Sequence, residues 1–241
     1  RAIDFKQNSN SIVEAVSAED LGRLPDTSIA DAISRLPGLT SQRAEGRASA
    51  ISLRGTDPGF TTALLNGREQ VSTGDNRSVE FDQYPSELLN TVLVYKTPDS
   101  NLVGQGLAGT IDLRTVRPLD YGNRAIALNV RGEMNGNDDL GAGSDEMGSR
   151  ISVSYIDQFA DGKVGLAIGY ARLDSPLATQ GFGTYEPWGE VNKGRDDWNA
   201  DVPAGTLTTN GMKVRADLGS TERNGFMAAL QFAPTDNYTG I

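Results

Sequence analysis

The side chains able to carry chemistry are few. The 241 residues contain no histidine and no cysteine, which removes the commonest general base, the thiolate nucleophile and the usual ligands of structural zinc. Carboxylates remain, yet no Asp or Glu pair stands in a setting that would raise a carboxyl pKa, as glycoside hydrolysis needs. Asn135, Asn137, Asp139 and Glu146 follow calcium-loop spacing. Leu140, however, occupies the turn position that requires glycine, and the first position lacks an acid, so the stretch reads as a solvated acidic loop. Gly104-x-Gly106-x-x-Gly109 matches the dinucleotide fingerprint in letters only, because Pro98-Asp99-Ser100 precedes it and the strand-like Thr110-Ile111-Asp112-Leu113 follows it where a helix should open. Its glycines are expected to permit tight turns and close packing. The chain is not read as an enzyme, and neither a cofactor nor a metal site is expected.

Side chains suited to binding are more evident. Asp57-Pro58-Gly59-Phe60 and Ser72-Thr73-Gly74-Asp75-Asn76-Arg77 are short polar segments. Asp57, Asp75, Asn76 and Arg77 could pair with sugar hydroxyls, and Phe60 reads equally as an apolar face for a pyranose or as packing. Tyr185, Trp188 and Trp198 lie in a polar stretch, 174–222, as ligand platforms or as hinges of loop packing. With 22 basic against 32 acidic residues, the formal charge is -10; that excludes a phosphate backbone as partner.

Two kinds of element must position these groups. From residue 1 to about 118 the pattern is mixed. Ser17-Ala18-Glu19-Asp20 reads as a capping box opening a short helix. Thr27-Ser28 opens a second, with Ile29, Ala32, Ile33 and Leu36 on one face and Pro37-Gly38 ending it. A third is expected at Ser86–Asn90, and strands at Ala50–Leu53, Thr62–Leu65, Thr91–Tyr95 and Thr110–Thr115. From about 124 onward, alternation is strict. Ile126, Leu128 and Val130; Ile151, Val153 and Tyr155; Val164, Leu166, Ile168 and Tyr170; and Phe226, Ala228, Leu230 and Phe232 each take every second position. Gly165, Ala167, Gly169 and Ala171 face the other way in the third run. Segments of ~10 residues with one apolar face are the signal of a transmembrane β-barrel. Ala160-Asp161-Gly162-Lys163 makes a tight turn, whereas 135–148 and 174–222 are long, the short–long asymmetry of barrel turns and loops. Pro234-Thr235-Asp236-Asn237 should be the next turn, with a fifth strand starting at Tyr238. No run approaches the ~18–20 apolar residues of a membrane-spanning helix.

Several motifs stand in register: Ile12-Val13-Glu14-Ala15-Val16-Ser17, Leu24-Pro25-Asp26-Thr27, Leu36-Pro37-Gly38-Leu39, Ile51-Ser52-Leu53-Arg54-Gly55, Leu64-Leu65-Asn66-Gly67-Arg68, Tyr84-Pro85-Ser86-Glu87-Leu88 and Gly109-Thr110-Ile111-Asp112-Leu113-Arg114-Thr115. Together they resemble TonB-dependent outer-membrane receptors, in the branch abundant in Caulobacter- and Xanthomonas-type bacteria. The resemblance implies an α+β plug domain (1–118) inside an antiparallel transmembrane β-barrel, of which 124–241 would supply about the first four to five of 22 strands. Several hundred residues are then expected after Ile241, and the TonB box is expected outside the chain. It also implies active transport of an extracellular nutrient into the periplasm of a Gram-negative bacterium, driven by proton-motive force relayed through TonB with ExbB and ExbD. Outer-membrane lipid would surround the wall, and the loops carrying Asp57 and Arg77 would face the extracellular lumen. Arg54, followed by Gly55, would hold the plug by pairing with barrel acids. Many members of that branch import carbohydrate, and the acidic loops lean the same way. A ferric-siderophore receptor and a passive structural or adhesive envelope protein are the alternatives.

Overall fold

The computed structural model describes residues 6–17, 28–44, 47–104, 106–136, 146–185, 187–191, 201–203, 205–209, 211–235 and 238–241, with the backbone alone at 87. Its first unit is a mixed sheet over a compact core. Strands β1 (Val13–Ser17), β6 (Leu89–Tyr95), β7 (Gly109–Thr115), β4 (Thr61–Leu65) and β5 (Arg68–Glu69) lie in that order, with β4 and β7 parallel and the other pairs antiparallel. A hairpin of β2 (Leu39–Ala44) and β3 (Arg47–Leu53) and one short helix, α1 (Ile29–Ile33), pack on it. Ile29, Ile33, Ile51, Leu53, Val92, Val94, Ile111 and Leu113 are essentially solvent-free at the centre.

Helix α1 forms where the apolar spacing predicts it but is shorter, closing at Ile33 with Ser34 as its C-cap, so Leu36 lies in the turn before Pro37 rather than on the helix. Ser28 caps it, the hydroxyl accepting from Asp31 N at 3.2 Å and donating to Ala48 O at 2.9 Å, so the cap also fastens the helix to β3. Gly38, at φ +78°, turns the chain into β2. The helix expected after Ser17 falls on 18–27, outside the described residues, and Ser17 itself closes β1. The third expected helix is only a 3₁₀ turn, Ser86–Leu88, because Leu89 is already paired with Thr115 in the sheet. Strands β1 and β2 are additions; the burial of β1 does not alternate, so it carries no period-two signal.

The second unit is an antiparallel meander of β8 (Ala125–Met134), β9 (Met147–Phe159), β10 (Val164–Thr184), β13 (Met212–Thr235) and β14 (Tyr238–Gly240). Alternation sorts its faces. Gly165, Ala167, Gly169 and Ala171 are buried against the first unit, whereas Ile126, Leu128, Val130, Tyr170 and Phe226 face outward. The turn at 160–163 places Ala160 and Asp161 at φ 53° before Gly162, and Lys163 N donates to Ala160 O at 3.2 Å.

One expectation is corrected here. The polar stretch 174–222 is not a loop throughout: β10 and β13 stay in unbroken register from Val164↔Phe232 to Thr184↔Met212. A minor pairing of β11 (Gly189–Glu190) with β12 (Leu207–Thr208) lies between them. Beyond Asp174 the ribbon loses the apolar alternation that marks a strand in lipid, while its backbone groups still pair with one another. Strand β9 meets β10 no further than Ser149↔Asp174. Pro176 stands just beyond that pair; it has no N–H to continue the ladder.

Candidate functional site

The first unit sits on the inner face of the wall, and the wall's small residues allow it. A Cβ built on Gly165 would come within 2.9 Å of Leu119 Cδ2, one on Gly169 within 2.6 Å of Leu88 Cδ2, and one on Gly225 within 2.6 Å of Pro85 Cγ. Polar groups close the rest of the seam. Leu119 N donates to Gln231 Oε1 at 3.0 Å, and Gln158 Nε2 donates to Pro118 O (2.8 Å) and Leu119 O (3.1 Å). Further along the wall Arg223 Nη1 donates to Asp82 O, and Arg47 Nη2 donates to Ser175 Oγ at 2.7 Å. Buried backbone carbonyls and amides thereby find partners that are not in their own sheet.

Above Arg47 the seam opens into a cleft of about 320 Å³, lined by Arg47, Glu133, Asn135, Ser175 and Thr179 among others. Arg150, buried on the wall, lies 3.6 Å from Glu133 Oε2. These inner-face residues are absent from the sequence reading. Their one signal was the period-two alternation that placed them opposite apolar neighbours.

Two of the sequence-predicted loops come together. Asp57 caps a 3₁₀ turn at Pro58–Phe60, its Oδ1 accepting from Gly59 N at 2.8 Å. Arg77 packs beside it, with its Cβ 3.6 Å from the position a Cβ on Gly59 would take. Asp57, Phe60, Asp75, Asn76 and Arg77 are all exposed. The loop from Ser72 to Glu80 is held by its own hydrogen bonds. Ser72 Oγ donates to Glu80 Oε1 at 2.7 Å, Thr73 N donates to Glu80 Oε2 at 3.0 Å, and Asn76 Oδ1 accepts from Ser78 N at 2.8 Å. Burial alone would raise the Glu80 carboxyl, but the donors Ser72 and Thr73 outweigh it and hold it below the usual range. Asn76 therefore spends its carbonyl on the loop, while Arg77, Asp57 and Asp75 make no ion pair among the described residues.

The other predicted residues are elsewhere. Tyr185 follows the last residue of β10, Trp188 lies beyond it, both exposed, and Trp198 lies outside the described residues, as do Asn137 and Asp139. Arg54 is exposed at φ 55°; its N donates to Gly38 O at 2.7 Å, and its side chain has no partner among the described residues. Gly55 follows at φ 75°, a left-handed pair that reverses the chain after β3. A Cβ on Gly109 would stand 2.2 Å from Leu53 Cδ2 and 2.4 Å from Tyr95 O, and one on Gly106 would stand 2.3 Å from Gly109 O. Gly104, expected to share that packing, has open space instead; it lies in a loop ahead of the crossing strands. No group of His, Cys, Asp and Glu able to hold a metal occurs among the described residues.

A small α+β globule packed on the glycine-bearing face of an open five-stranded antiparallel meander is the arrangement of a plug seated on part of a β-barrel wall. Residues 6–111 match the family model described as TonB-dependent Receptor Plug Domain. Among solved structures, the chain is similar to a mutant of the ferric enterobactin receptor of Pseudomonas aeruginosa in complex with enterobactin, at TM-score 0.61 and 13% identity, covering 94% of this chain and 31% of that one. It is similar to the outer membrane transporter YddB of Escherichia coli, at TM-score 0.60 and 16% identity, covering 94% and 31%. It is also similar to the RagAB peptide importer in its closed-closed state, at TM-score 0.57 and 10% identity, covering 95% and 29%. The chain thus spans about a third of the length of the structures it matches. Residues 6–111 thus match a TonB-dependent receptor plug domain, and the strands that follow share the fold of the first barrel strands in these solved structures.

Proposed function

We propose that the chain serves an outer-membrane receptor that binds an extracellular oligosaccharide and imports it into the periplasm, with TonB, ExbB and ExbD relaying proton-motive force. Residues 1–118 act as the plug, and 124–241 begin the barrel. The observation that carries the reading is the seam: the first unit packs on the small-residue face of the meander, a position that in a closed barrel would block the pore until the unit moves. Polar contacts of that seam, among them Arg47 with Ser175, Arg223 with the Asp82 carbonyl and Leu119 N with Gln231, are single hydrogen bonds that can exchange during such movement. Arg54, exposed and unpaired among the described residues, reaches a carboxylate elsewhere on the barrel.

Asp57, Phe60, Asp75, Asn76 and Arg77 form the plug's ligand face, and Tyr185, Trp188 and Trp198 belong to the outer loops that deliver cargo to it. Two acids beside one arginine suit neutral sugar hydroxyls better than an anionic ferric chelate. Outer-membrane lipid contacts Ile126, Leu128, Tyr170 and Phe226, and nucleic acid has no role. Calorimetric titration of the receptor with maltooligosaccharides, chitooligosaccharides and ferric chelates tests the cargo; heat from chelates alone overturns the sugar assignment in favour of a siderophore. Uptake in cells lacking TonB tests the mechanism, since undiminished import there leaves a passive envelope protein.

A further inference from the structure

A cavity of about 700 Å³ opens at the edge of the plug sheet, between the turn that leads into β1 and the turn that follows β6. Residues 8–11 and 98–101 are its walls, and the nearly buried Tyr95 lines it from the sheet. The walls are tied to each other. Ser11 Oγ donates to Asp99 Oδ2 at 2.7 Å, Ile12 N donates to Thr97 Oγ1 at 3.0 Å, and Lys96 N donates to Ile12 O at 2.8 Å. The second turn is also fixed on itself, with Asn101 N donating to Asp99 Oδ1 at 2.9 Å and Leu102 N to Asp99 O at 3.1 Å. The space falls within the roughly 300–1,000 Å³ of small-molecule sites. Its bonded walls hold it open before a ligand arrives, so binding need not order them.

We propose that this cavity holds part of a neutral, polyhydroxylated ligand, bound by Asn10, Ser100 and Asp99; it rests on the oligosaccharide reading above, which supplies the ligand. Asparagine amides and serine hydroxyls dominate the lining, and both donate and accept, as sugar hydroxyls do. Asn10 and Ser100 make no side-chain hydrogen bond among the described residues, so a ligand meets them without breaking an internal bond. Asp99 is the charged side chain on the lining. The Ser11 hydroxyl and the Asn101 N–H hold its carboxyl below the usual range, which keeps it an acceptor and repels an anion. The ammonium groups nearby are engaged: Lys6 and Lys96 both meet Glu14, and Lys96 Nζ donates to Pro37 O at 2.6 Å. No group of acids able to hold a metal ion stands here among the described residues.

Strand register places the cavity at the same end of the sheet as Phe60. Val13 opens β1 opposite Tyr95 at the end of β6, Tyr95 stands opposite Thr110, and Gly109 stands opposite Thr61, the residue after Phe60. Strand β7 lies between β6 and β4. Two strand spacings, about 10 Å, therefore separate the Tyr95 side of the cavity from the start of β4, close enough for one linear oligosaccharide to touch both the cavity and Phe60.

Calorimetry on the complete receptor decides it, in detergent so that both ends of the plug are open, with chitohexaose and maltohexaose as probes. Asn10→Ala should weaken binding of whichever sugar the unaltered receptor takes by roughly three- to tenfold, as loss of a hydrogen bond does. Ser100→Trp fills the cavity from an exposed turn position and should weaken binding at least as much. Val103→Ala, close to the turn but off the lining, is the control and should change nothing. If Asn10→Ala or Ser100→Trp binds as the unaltered receptor does, or if Val103→Ala loses as much as they do, the cavity site is wrong while the oligosaccharide reading stands. If the unaltered receptor binds neither sugar, both fall.

Discussion

At the scale of single residues, two positions make demands that no other side chain meets. Gly109 has φ +152° with Leu53 and the Tyr95 carbonyl against it. Gly109→Ala is therefore expected to cost about 1–3 kcal/mol through overpacking and backbone strain, seen as earlier proteolysis of the plug. Glu80 is the other. Its carboxylate carries the 72–80 loop, and its pKa is lowered in the fold from the ordinary 4.5. The stabilisation is thus full above pH 4.5 and is lost as pH falls through the lower folded value. Glu80→Gln should loosen the loop by about 1–2 kcal/mol at neutral pH. Comparing amide exchange at Thr73 in the two proteins checks both points, because the difference between them should vanish only below pH 4.5. The close packing at Gly109 is what the sequence reading expects of that motif's glycines; the role of Glu80 could not be foreseen, because an acid in a polar loop looks ordinary until its neighbours are known.

At the scale of elements, the strand faces divide the work. Small residues on β10 and β13 admit the plug while their apolar neighbours face outward, so the two faces should respond differently to substitution. Gly169→Leu must displace Leu88, whose Cδ2 would lie 2.6 Å from the new Cβ. It is expected to cost about 1–3 kcal/mol and to render the plug more accessible to protease with the barrel intact. Ile168→Ala, one residue away and outward, should leave plug protection unchanged. Replacing Arg47 by Ala removes the bond to Ser175 and is expected to shift protection by no more than about 1 kcal/mol; a larger loss would show that this contact fixes the plug far more firmly than one hydrogen bond can. Alternation made the faces of β8, β9 and β10 readable in advance. It failed for the far half of the β10–β13 ribbon, where neither face is uniformly apolar, and for β1, whose burial does not alternate.

At the scale of the whole molecule, plug and wall are complementary halves of one closure. If the seam described here is the moving part, import requires the plug to leave it. A cysteine pair introduced at Pro85 and Gly225, where a Cβ on Gly225 would stand 3.5 Å from Pro85 Cβ across the seam and so within disulfide reach, should abolish uptake when oxidised and restore it on reduction, with ligand binding retained in both states. Uptake unaffected by the disulfide would show that this part of the plug stays in place. The chain has no native cysteine to compete. Sequence by itself determined the lipid-facing pattern, because a strand in a bilayer must present an apolar residue at every second position. It also determined the start of helix α1 through its cap, and the poverty of catalytic groups through plain absence of residue types. Only the tertiary structure decided which small residues receive the plug, which loops touch, and that Tyr185 meets Lys213. Those pairings join residues far apart in the chain, and local periodicity carries no information about what another segment brings to the same surface.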